Sequence, residues 1–547
     1  MRSARRLWWL AAPLVYAALT ALTWNRWATI GYDSGREAYV PLRLLAGQRI
    51  YRDFAYSHGP LAPALNALVY AVFGATTTSL VTAGTLAGLA CVLLLQRLGR
   101  RASGSRAIAS AASCLAIATL FFIPGGGTYP WPYGFGALYG LAFSLGGLAA
   151  LTSGRARWTA AAAGALFGAA TACKAEFAPF AALGLLGYAF AARRAGDARA
   201  RAAIASIAWL AGAAAILAPF FAVAGFEALK TRGYLLAVWV PPEWRLFLLK
   251  TGGWADLPSL APAVIASLAA LGALLAAAWH WGARGSPLAR AGAGFAAGAA
   301  VGALIPGGGV FALASALILG AVALALFGRR AFVPALSAPV AAALVLTPRS
   351  MWHADALYAA FNLPLAFVMA AALASRAVSP RARLALAGAL VGLGVPRAVD
   401  VAREYRRGAW AEVHTDRGTL VKPARTAEVL NVALREIASR TTADQPVLVL
   451  PEGGLIDFLA GRTSPIAHDE LLPGLPSRAD VAPLVAKLEA SPPKLVLTYA
   501  RRFDAYGIPL TWEQYFPELP ALLARRYRRV PLAPPAGTIL TLYERAE

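Results

Sequence analysis

Charged residues, cysteine and histidine are all scarce in this sequence, and each scarcity excludes a class of protein. Only 14% of the 547 residues are charged and 59% are hydrophobic, which excludes an ordinary soluble protein. The three cysteines lie in or beside apolar runs and do not indicate a disulfide framework. His414 and His468, two of the five histidines, lie in the polar C-terminal part without the spacing of metal ligands.

Apolar runs long enough to cross a bilayer recur along the first 400 residues. A helical crossing needs about 20 residues, and over such a run a helix satisfies its own backbone groups. The predicted spans are 7–29, 75–96, 106–124, 134–151, 158–172, 177–192, 203–223, 259–281, 290–304, 308–327, 331–347, 357–375 and 382–398. The hydropathy therefore predicts a polytopic membrane protein with about 13 transmembrane helices.

The formal net charge of +24 comes mostly from loops that share one side of the membrane. Twenty arginines and one acid, Asp197, fall in these loops. Cytoplasmic loops are rich in Lys and Arg, so the N-terminus is predicted to be cytoplasmic and the first loop and C-terminal segment extracytoplasmic. Because the positive charge follows topology, no nucleic-acid partner is indicated. A cleaved signal peptide over residues 1–24 is the alternative, but no small-residue cleavage site precedes Trp24.

The composition changes near residue 400, where charged residues become frequent. An amphipathic helix is predicted over 426–439 and a second helix over 452–460, with strands over 446–450, 494–498 and 538–543. Alternation of helices and strands favours a small α/β domain on a partly parallel sheet. The predicted organisation is a membrane domain over 1–399 and an extracytoplasmic α/β domain over 400–547.

Polar residues also gather on the extracytoplasmic side of the predicted membrane domain. The first outer loop, 31–74, carries the acids Asp33, Glu37 and Asp53. Further candidates on this side are Tyr51, His58, Lys174, Glu176, Arg349 and His353. Ionisable groups at a membrane face are costly and mark functional sites, so we expect them to line one polar cavity. A carboxylate there can accept a proton from a hydroxyl, and a cation can bind a lipid phosphate.

The first outer loop contains an ordered set of short motifs. They are Asp33 after the first span, Ala46-Gly47, Tyr51-Arg52-Asp53-Phe54, His58-Gly59-Pro60-Leu61 and Phe73-Gly74, followed later by Lys174-Ala175-Glu176, His353 and Leu448–Arg462. Together they resemble the GT-C glycosyltransferases, in particular the protein-mannosyltransferase-like bacterial group with its glycosyltransferase family 39 and ArnT-like members. The resemblance implies a mainly α-helical polytopic membrane protein with a C-terminal extracytoplasmic domain.

The resemblance also implies a reaction and a set of partners. The donor would be a polyprenyl-phosphate-linked sugar used on the outer side of a bacterial cytoplasmic (inner) membrane, and the acceptor a cell-envelope glycan, lipid or protein. Asp33 matches the family's first-loop catalytic carboxylate, and we expect Asp53 and Glu37 to support it. Asp33-Ser34 replaces the commoner pair of adjacent acids, so the sequence gives no support for a metal site or a divalent cation.

The leaving group of such a donor carries negative charge and needs cations. Lys174 and Arg349 are the candidates by position, and Tyr51, His58, Glu176 and His353 complete the expected substrate-binding set.

Several of these residues have structural interpretations that the sequence leaves open. Glu37 with Ser34 fits a helix capping box, and Asp33 fits a carboxylate that complements a helix dipole. Asp53 fits a partner of Arg49 or Arg52, and Lys174 fits an ion pair with Glu176. His58 fits a residue that satisfies turn backbone.

Two other functions also remain open at this stage. A lipid-linked sugar flippase or other transporter would move its ligand without forming a bond. A non-catalytic membrane assembly subunit would tolerate replacement of all these polar residues.

Overall fold

The computed structural model describes residues 2–26, 32–123, 127–154, 156–191, 197–250, 286–304, 337–344 and 356–546. Helices dominate the part before residue 408. They are α1 Arg2–Thr23, α2 Tyr32–Leu45, α3 Leu61–Phe73, α4 Thr77–Ser103, α5 Arg106–Ala116, α6 Phe135–Leu151, α7 Arg157–Cys173, α8 Phe177–Ala191, α9 Ala198–Ala224, α10 Phe226–Arg232, α11 Pro242–Lys250, α12 Pro287–Leu304, α13 337–344, α14 Ala356–Asn362, α15 Pro364–Ala377 and α16 Arg383–Arg407. A π-helical turn, Ile117–Phe121, continues α5.

Each predicted span that falls on described residues coincides with helix. Among the described residues, three helices are both long and apolar enough to cross a membrane, namely α4, α9 and α16. Shorter apolar helices lie among α1, α3, α5, α6, α8 and α15. The predicted spans 259–281 and 308–327 lie outside the described residues, and of 331–347 only 337–344 is described. The span predicted over 357–375 is broken into α14 and α15 at Pro364, which cannot donate the backbone hydrogen bond that a continuous helix needs.

The bounds of α4 follow from local chemistry. The Thr76 hydroxyl accepts a hydrogen bond from the Ser79 backbone N–H at 3.1 Å, which caps the N-terminus. Gly104 ends the helix in the left-handed conformation, with φ 70°. Between these caps the apolar residues of α4 pack into a core shared with α1, α5, α6, α15 and α16.

The C-terminal part of the chain, which we name the outer domain after its predicted side of the membrane, contains a hairpin and a mixed four-stranded sheet. Its elements are β1 Trp410–Thr415, β2 Gly418–Pro423, α17 Ala424–Arg440, β3 Val447–Leu450, α18 Gly454–Ala460, α19 Arg478–Ala490, β4 Leu495–Tyr499, α20 Trp512–Tyr515, α21 Glu518–Arg526, β5 Tyr527–Val530 and β6 Leu540–Arg545. The strand order is β3-β4-β6-β5, with β3 and β4 parallel and the other pairs antiparallel. The predicted partly parallel sheet is therefore present.

The sequence prediction missed the β1–β2 hairpin. Its fully buried residues are Val413 and Leu420, which face each other in the register, and the polar Lys422, so its hydrophobic signal is short. The helix before it, α16, runs through the expected boundary at residue 400 and ends at Arg407. The division into 1–399 and 400–547 stays a prediction.

The first outer loop packs directly against the outer domain. One apolar cluster joins Tyr39 of α2 and Tyr70 of α3 to Phe458 of α18. Helices α2 and α18 approach so closely that a Cβ on Gly35 would lie 2.5 Å from the Leu455 backbone nitrogen. This contact places the candidate acids of α2 beside the outer domain.

We expect Gly35→Ala to destabilise the protein, because the new methyl group would overlap backbone of α18. Overpacking of this kind costs about 1–3 kcal/mol, and it should appear as a lower midpoint of thermal unfolding in detergent. Gly292→Ala is the matched control, since Gly292 lies in a helix with open space around its Cβ position. Equal stability of the two variants would contradict the close contact between α2 and α18.

Candidate active site

Asp33 lies in the first turn of α2, near the start of the predicted first outer loop. A carboxylate at this position complements the positive end of the helix dipole. Its side chain is 51% exposed, and its Oδ1 lies 3.1 Å from Nη2 of Arg36. Asp33 is therefore accessible and held by a cation at the same time.

Arg36 connects Asp33 to the outer domain. Its side chain is only 7% exposed. Its Nη1 donates a hydrogen bond of 2.5 Å to Glu470 Oε1, and its Nε lies 3.7 Å from Glu37 Oε1. Three carboxylates thus surround one guanidinium.

Glu37 is buried within the fold, and the capping box expected for it is wrong. Because α2 already begins at Tyr32, Ser34 lies inside the helix and is not its cap. The Glu37 carboxylate instead accepts hydrogen bonds from Tyr56 Oη at 2.9 Å and from the Phe135 backbone N–H at 3.1 Å. Burial raises the pKa of Glu37, against the opposing effect of Arg36. Glu37 thereby joins α2 to the start of α6.

Asp53 is paired with neighbouring residues of its own loop. This is the structural interpretation that the sequence left open, a partner of Arg49 or Arg52. Its Oδ2 accepts a hydrogen bond of 2.7 Å from the Arg49 backbone N–H, and Oδ1 lies 3.8 Å from Arg52 Nε. The Arg49 backbone N–H and the neighbouring guanidinium groups hold the pKa of Asp53 below its usual range. A supporting role for Asp53 in catalysis remains a prediction.

Tyr51 and His58 belong to one folded turn. Tyr51 is fully buried with φ 69°, in the left-handed region, and its hydroxyl donates to the His58 carbonyl at 2.5 Å. The His58 ring lies edge-on to Tyr56, with 5.7 Å between ring centroids. These contacts fix the turn, and direct binding of substrate by either residue stays a prediction.

Lys174 lies between α7 and α8, next to the first outer loop. Its Nζ is 3.3 Å from Glu176 Oε1 and donates to Tyr133 Oη at 3.1 Å. The ammonium group also lies over the rings of Tyr133 and Tyr358, at 5.5 and 5.7 Å from their centroids. The Gly59 backbone N–H donates to the Cys173 carbonyl at 3.2 Å, which ties the turn of His58 to this junction. The expected Lys174–Glu176 pair is present, within an aromatic setting that the sequence prediction missed.

Two further acids, both in the outer domain, belong to the same cluster. Glu452 and Glu470 face each other across an antiparallel bridge. Tyr499 Oη donates to Glu452 Oε2 at 3.0 Å, and Arg501 Nη2 lies 3.8 Å from Glu452 Oε1. Burial raises the pKa of Glu452 to about 7 and that of Glu470 to about 8. The segment Leu448–Arg462 that carries Glu452 was part of the family resemblance, whereas no local pattern identified Glu470.

The remaining candidates, Arg349 and His353, lie outside the described residues. Within the described ranges no group of three His, Cys, Asp or Glu residues has an arrangement that could hold a metal ion.

Comparison with known proteins identifies the fold. No protein-family model and no curated protein sequence matches the chain. A solved structure of the Archaeoglobus fulgidus oligosaccharyltransferase, tethered with an acceptor peptide containing the NVT sequon, aligns over 98% of this chain and 74% of that chain at 12% identity and a TM-score of 0.50. The chain has a GT-C fold.

Two other aligned structures are of ArnT from Cupriavidus metallidurans. The one bound to undecaprenyl phosphate aligns over 98% of this chain and 97% of that chain, and the apo state over 99% and 98%. Both have 15% identity and a TM-score of 0.47. The GT-C fold confirms the predicted class, a mainly helical polytopic membrane protein with an α/β domain at its C-terminus.

We expect the attachment of α2 to the outer domain to weaken as pH rises. The pKa values of Glu452 and Glu470 lie above the ordinary value of 4.5, so each carboxyl group is stabilised by its proton in the folded state. That stabilisation is complete below about pH 4.5 and is lost as pH rises through 7 to 8. The midpoint of thermal unfolding should therefore fall between pH 5 and pH 9.

Glu452→Gln and Glu470→Gln should flatten this pH dependence, because an amide does not ionise. Glu489→Gln is the control, since Glu489 pairs with Arg525 on the exposed surface. A dependence that stays as steep in both site variants as in the control would contradict protonated carboxyl groups at this interface.

Proposed function

We propose that this protein is a glycosyltransferase that takes a sugar from a polyprenyl-phosphate donor and transfers it to an extracytoplasmic glycan, lipid or protein of the cell envelope. The observation that carries the proposal is the half-exposed carboxylate of Asp33, held by Arg36 at the first outer loop of a GT-C fold. The proposed site faces the outside of a bacterial cytoplasmic membrane, with the N-terminus on the cytoplasmic side, as the arginine distribution predicts.

Asp33 is suited to serve as the general base. In the proposed reaction an acceptor hydroxyl oxygen forms a bond to the anomeric carbon while the bond from that carbon to the phosphate oxygen breaks. The electron pair of the broken bond stays on the polyprenyl phosphate, and the hydroxyl proton moves to Asp33 Oδ. A positioned carboxylate in this role contributes about 10²- to 10⁴-fold to the rate. Glu37, with 1% of its side chain exposed, supports Asp33 only through Arg36.

Lys174 is suited to stabilise the departing phosphate. Its ammonium group carries three N–H donors, of which Tyr133 and Glu176 account for two. A buried cation aimed at a developing negative charge is worth more than the same cation in water. Arg349 and His353 are proposed to complete the phosphate and sugar site on the strength of the family resemblance.

The transferase proposal is tested by replacing Asp33. Membranes containing the intact protein, Asp33→Asn or Asp504→Asn are supplied with a panel of polyprenyl-phosphate hexoses and pentoses, and donor loss and glycosylated product are both followed. Asp504 is the matched control, because it is a half-exposed acid paired with an arginine, Arg502, away from the candidate site. We expect Asp33→Asn to lose about 10²-fold or more of the turnover and Asp504→Asn to retain it.

The rival functions give different results in the same experiment. A flippase would move intact donor across the membrane without consuming it, and Asp33→Asn would leave that movement unchanged. A non-catalytic assembly subunit would show neither turnover nor movement. Equal turnover by Asp33→Asn and the intact protein would remove Asp33 from the mechanism.

Lys174→Met should lower the turnover by about 10²- to 10³-fold, the range found when one transition-state donor is removed. The substitution keeps the approximate length and the apolar stem of the side chain and removes its charge and its N–H donors. Lys487→Met, at an exposed position of α19, controls for the loss of a lysine elsewhere. Full activity of Lys174→Met in steady-state kinetics would exclude Lys174 from phosphate stabilisation.

A further inference from the structure

Helix α2 presents one face to the outer domain, and three polar side chains on that face hold it there. Arg36 donates to Glu470 at 2.5 Å, and Arg43 Nη1 donates to Asp469 Oδ1 at 2.6 Å. Between them, Tyr39 Oη accepts a hydrogen bond of 2.7 Å from the Ser464 backbone N–H. The spacing of three and then four residues places all three on the same side of a helix.

The two ion pairs of this face differ in how close they lie to Asp33. The Arg43–Asp469 pair lies more than two turns along α2 from Asp33. The Arg36–Glu470 pair, in contrast, continues directly to Asp33, which is 3.1 Å from Arg36 Nη2. Within the described part of the chain, Nη1 is hydrogen bonded to Glu470, whereas the buried Nε and Nη2 have no hydrogen-bond partner. Among the described residues, Glu470 therefore supplies the side-chain hydrogen bond that holds the guanidinium.

We infer that Glu470 of the outer domain is a positioning residue for Asp33: it holds the Arg36 guanidinium, and through Arg36 it controls the orientation and the available negative charge of the proposed base. This inference rests on the proposed function, because it assigns the outer domain a part in the same site. It makes the outer domain a component of the catalytic machinery without direct contact with the substrate.

Within the described ranges, acids outnumber bases around this contact. The groups that act directly on Glu470 are Arg36 and Asp33 of α2 and Glu452, Asp469 and Tyr506 of the outer domain. Their own partners are Glu37 beside Arg36, Tyr499 and Arg501 beside Glu452, and Arg43 beside Asp469. Asp469 is paired with Arg43, so the remaining four carboxyl groups share the two cations Arg36 and Arg501. Burial raises the pKa of Glu470 to about 8, and this group therefore releases its proton in mildly alkaline solution.

The ionisation of Glu470 changes what Arg36 does for Asp33. While Glu470 is protonated, the positive charge of Arg36 acts mainly on the α2 acids. Once Glu470 is ionised, it competes with Asp33 for that charge, so Asp33 accepts a proton from the acceptor hydroxyl more readily. The turnover number of the intact protein should therefore rise as pH increases through the range from 7 to 9.

The test compares Glu470→Gln with Asp469→Asn in the full-length protein, purified in detergent. The probe is the polyprenyl-phosphate sugar that the donor panel shows to be consumed, and kcat and KM are measured from pH 6 to pH 9.5. Both substitutions remove one attachment of α2, but only Glu470→Gln acts beside Arg36 and Asp33. We expect Glu470→Gln to abolish the rise of kcat with pH. Its kcat should equal that of the intact protein near pH 6, where Glu470 is protonated, and should lie about tenfold below it at pH 9.5, with KM nearly unchanged. Asp469→Asn should retain that rise.

A merely structural role for Glu470 gives a different result. Both variants would then lose folded protein and activity in proportion, and the pH profile of the remaining enzyme would match that of the intact protein, which would overturn the inference. If Glu470→Gln does not accumulate in folded form, Glu470→Asp replaces it. This variant keeps the charge but withdraws it by one methylene group, so kcat should fall while the rise with pH remains. Unchanged kcat for Glu470→Asp would also overturn the inference.

The outcome separates the two proposals. Loss of turnover in Asp33→Asn together with a normal profile in Glu470→Gln removes the positioning role and leaves the transferase. Full turnover in Asp33→Asn, or no consumption of any donor by the intact protein, removes the proposed function and with it the role of Glu470.

Discussion

The buried guanidinium of Arg36 is the interaction on which the candidate site depends. A charge removed from water is tolerated only where opposite charges and hydrogen bonds surround it. Arg36 finds these partners in Asp33 and Glu37 on its own helix and in Glu470, which is 434 residues later in the chain. It therefore requires that α2 and the outer domain pack together. The half-exposed carboxylate of Asp33 is defined by that packing.

Through the same packing, the outer domain contributes charged groups to the candidate site. Its sheet positions β3, and the chain after β3 brings Glu452 opposite Glu470. These two acids are buried among few cations, which raises the pKa of each into the range of 7 to 8. Protonation of the outer domain and the charge environment of Asp33 are consequently linked. Lys174 is held by the aromatic residues Tyr133 and Tyr358.

Local patterns predicted most of the elements and some of the site. Hydropathy located the helices near 75–96 and 134–151, and apolar β-branched runs located β3 and β4, because each signal resides in consecutive residues. The same reasoning treated 357–375 as one helix although Pro364 divides it. It also paired Ser34 with Glu37 as a capping box, since the sequence does not show that α2 begins at Tyr32. The sequence did not identify Glu470, because its partner Arg36 is distant in sequence.

The sequence by itself determined the membrane-helix pattern, the α/β character of the C-terminal part and the placement of Asp33, Lys174 and their neighbours in predicted outer loops. Hydrophobicity and charge per segment are properties of consecutive residues, so they can be read without a fold. Only the tertiary structure decided which charges meet: Arg36 with Glu470, Lys174 with Tyr133 and Glu37 with Tyr56. Such pairs depend on distances of a few ångströms between segments brought together by packing, and no spacing along the chain encodes those distances.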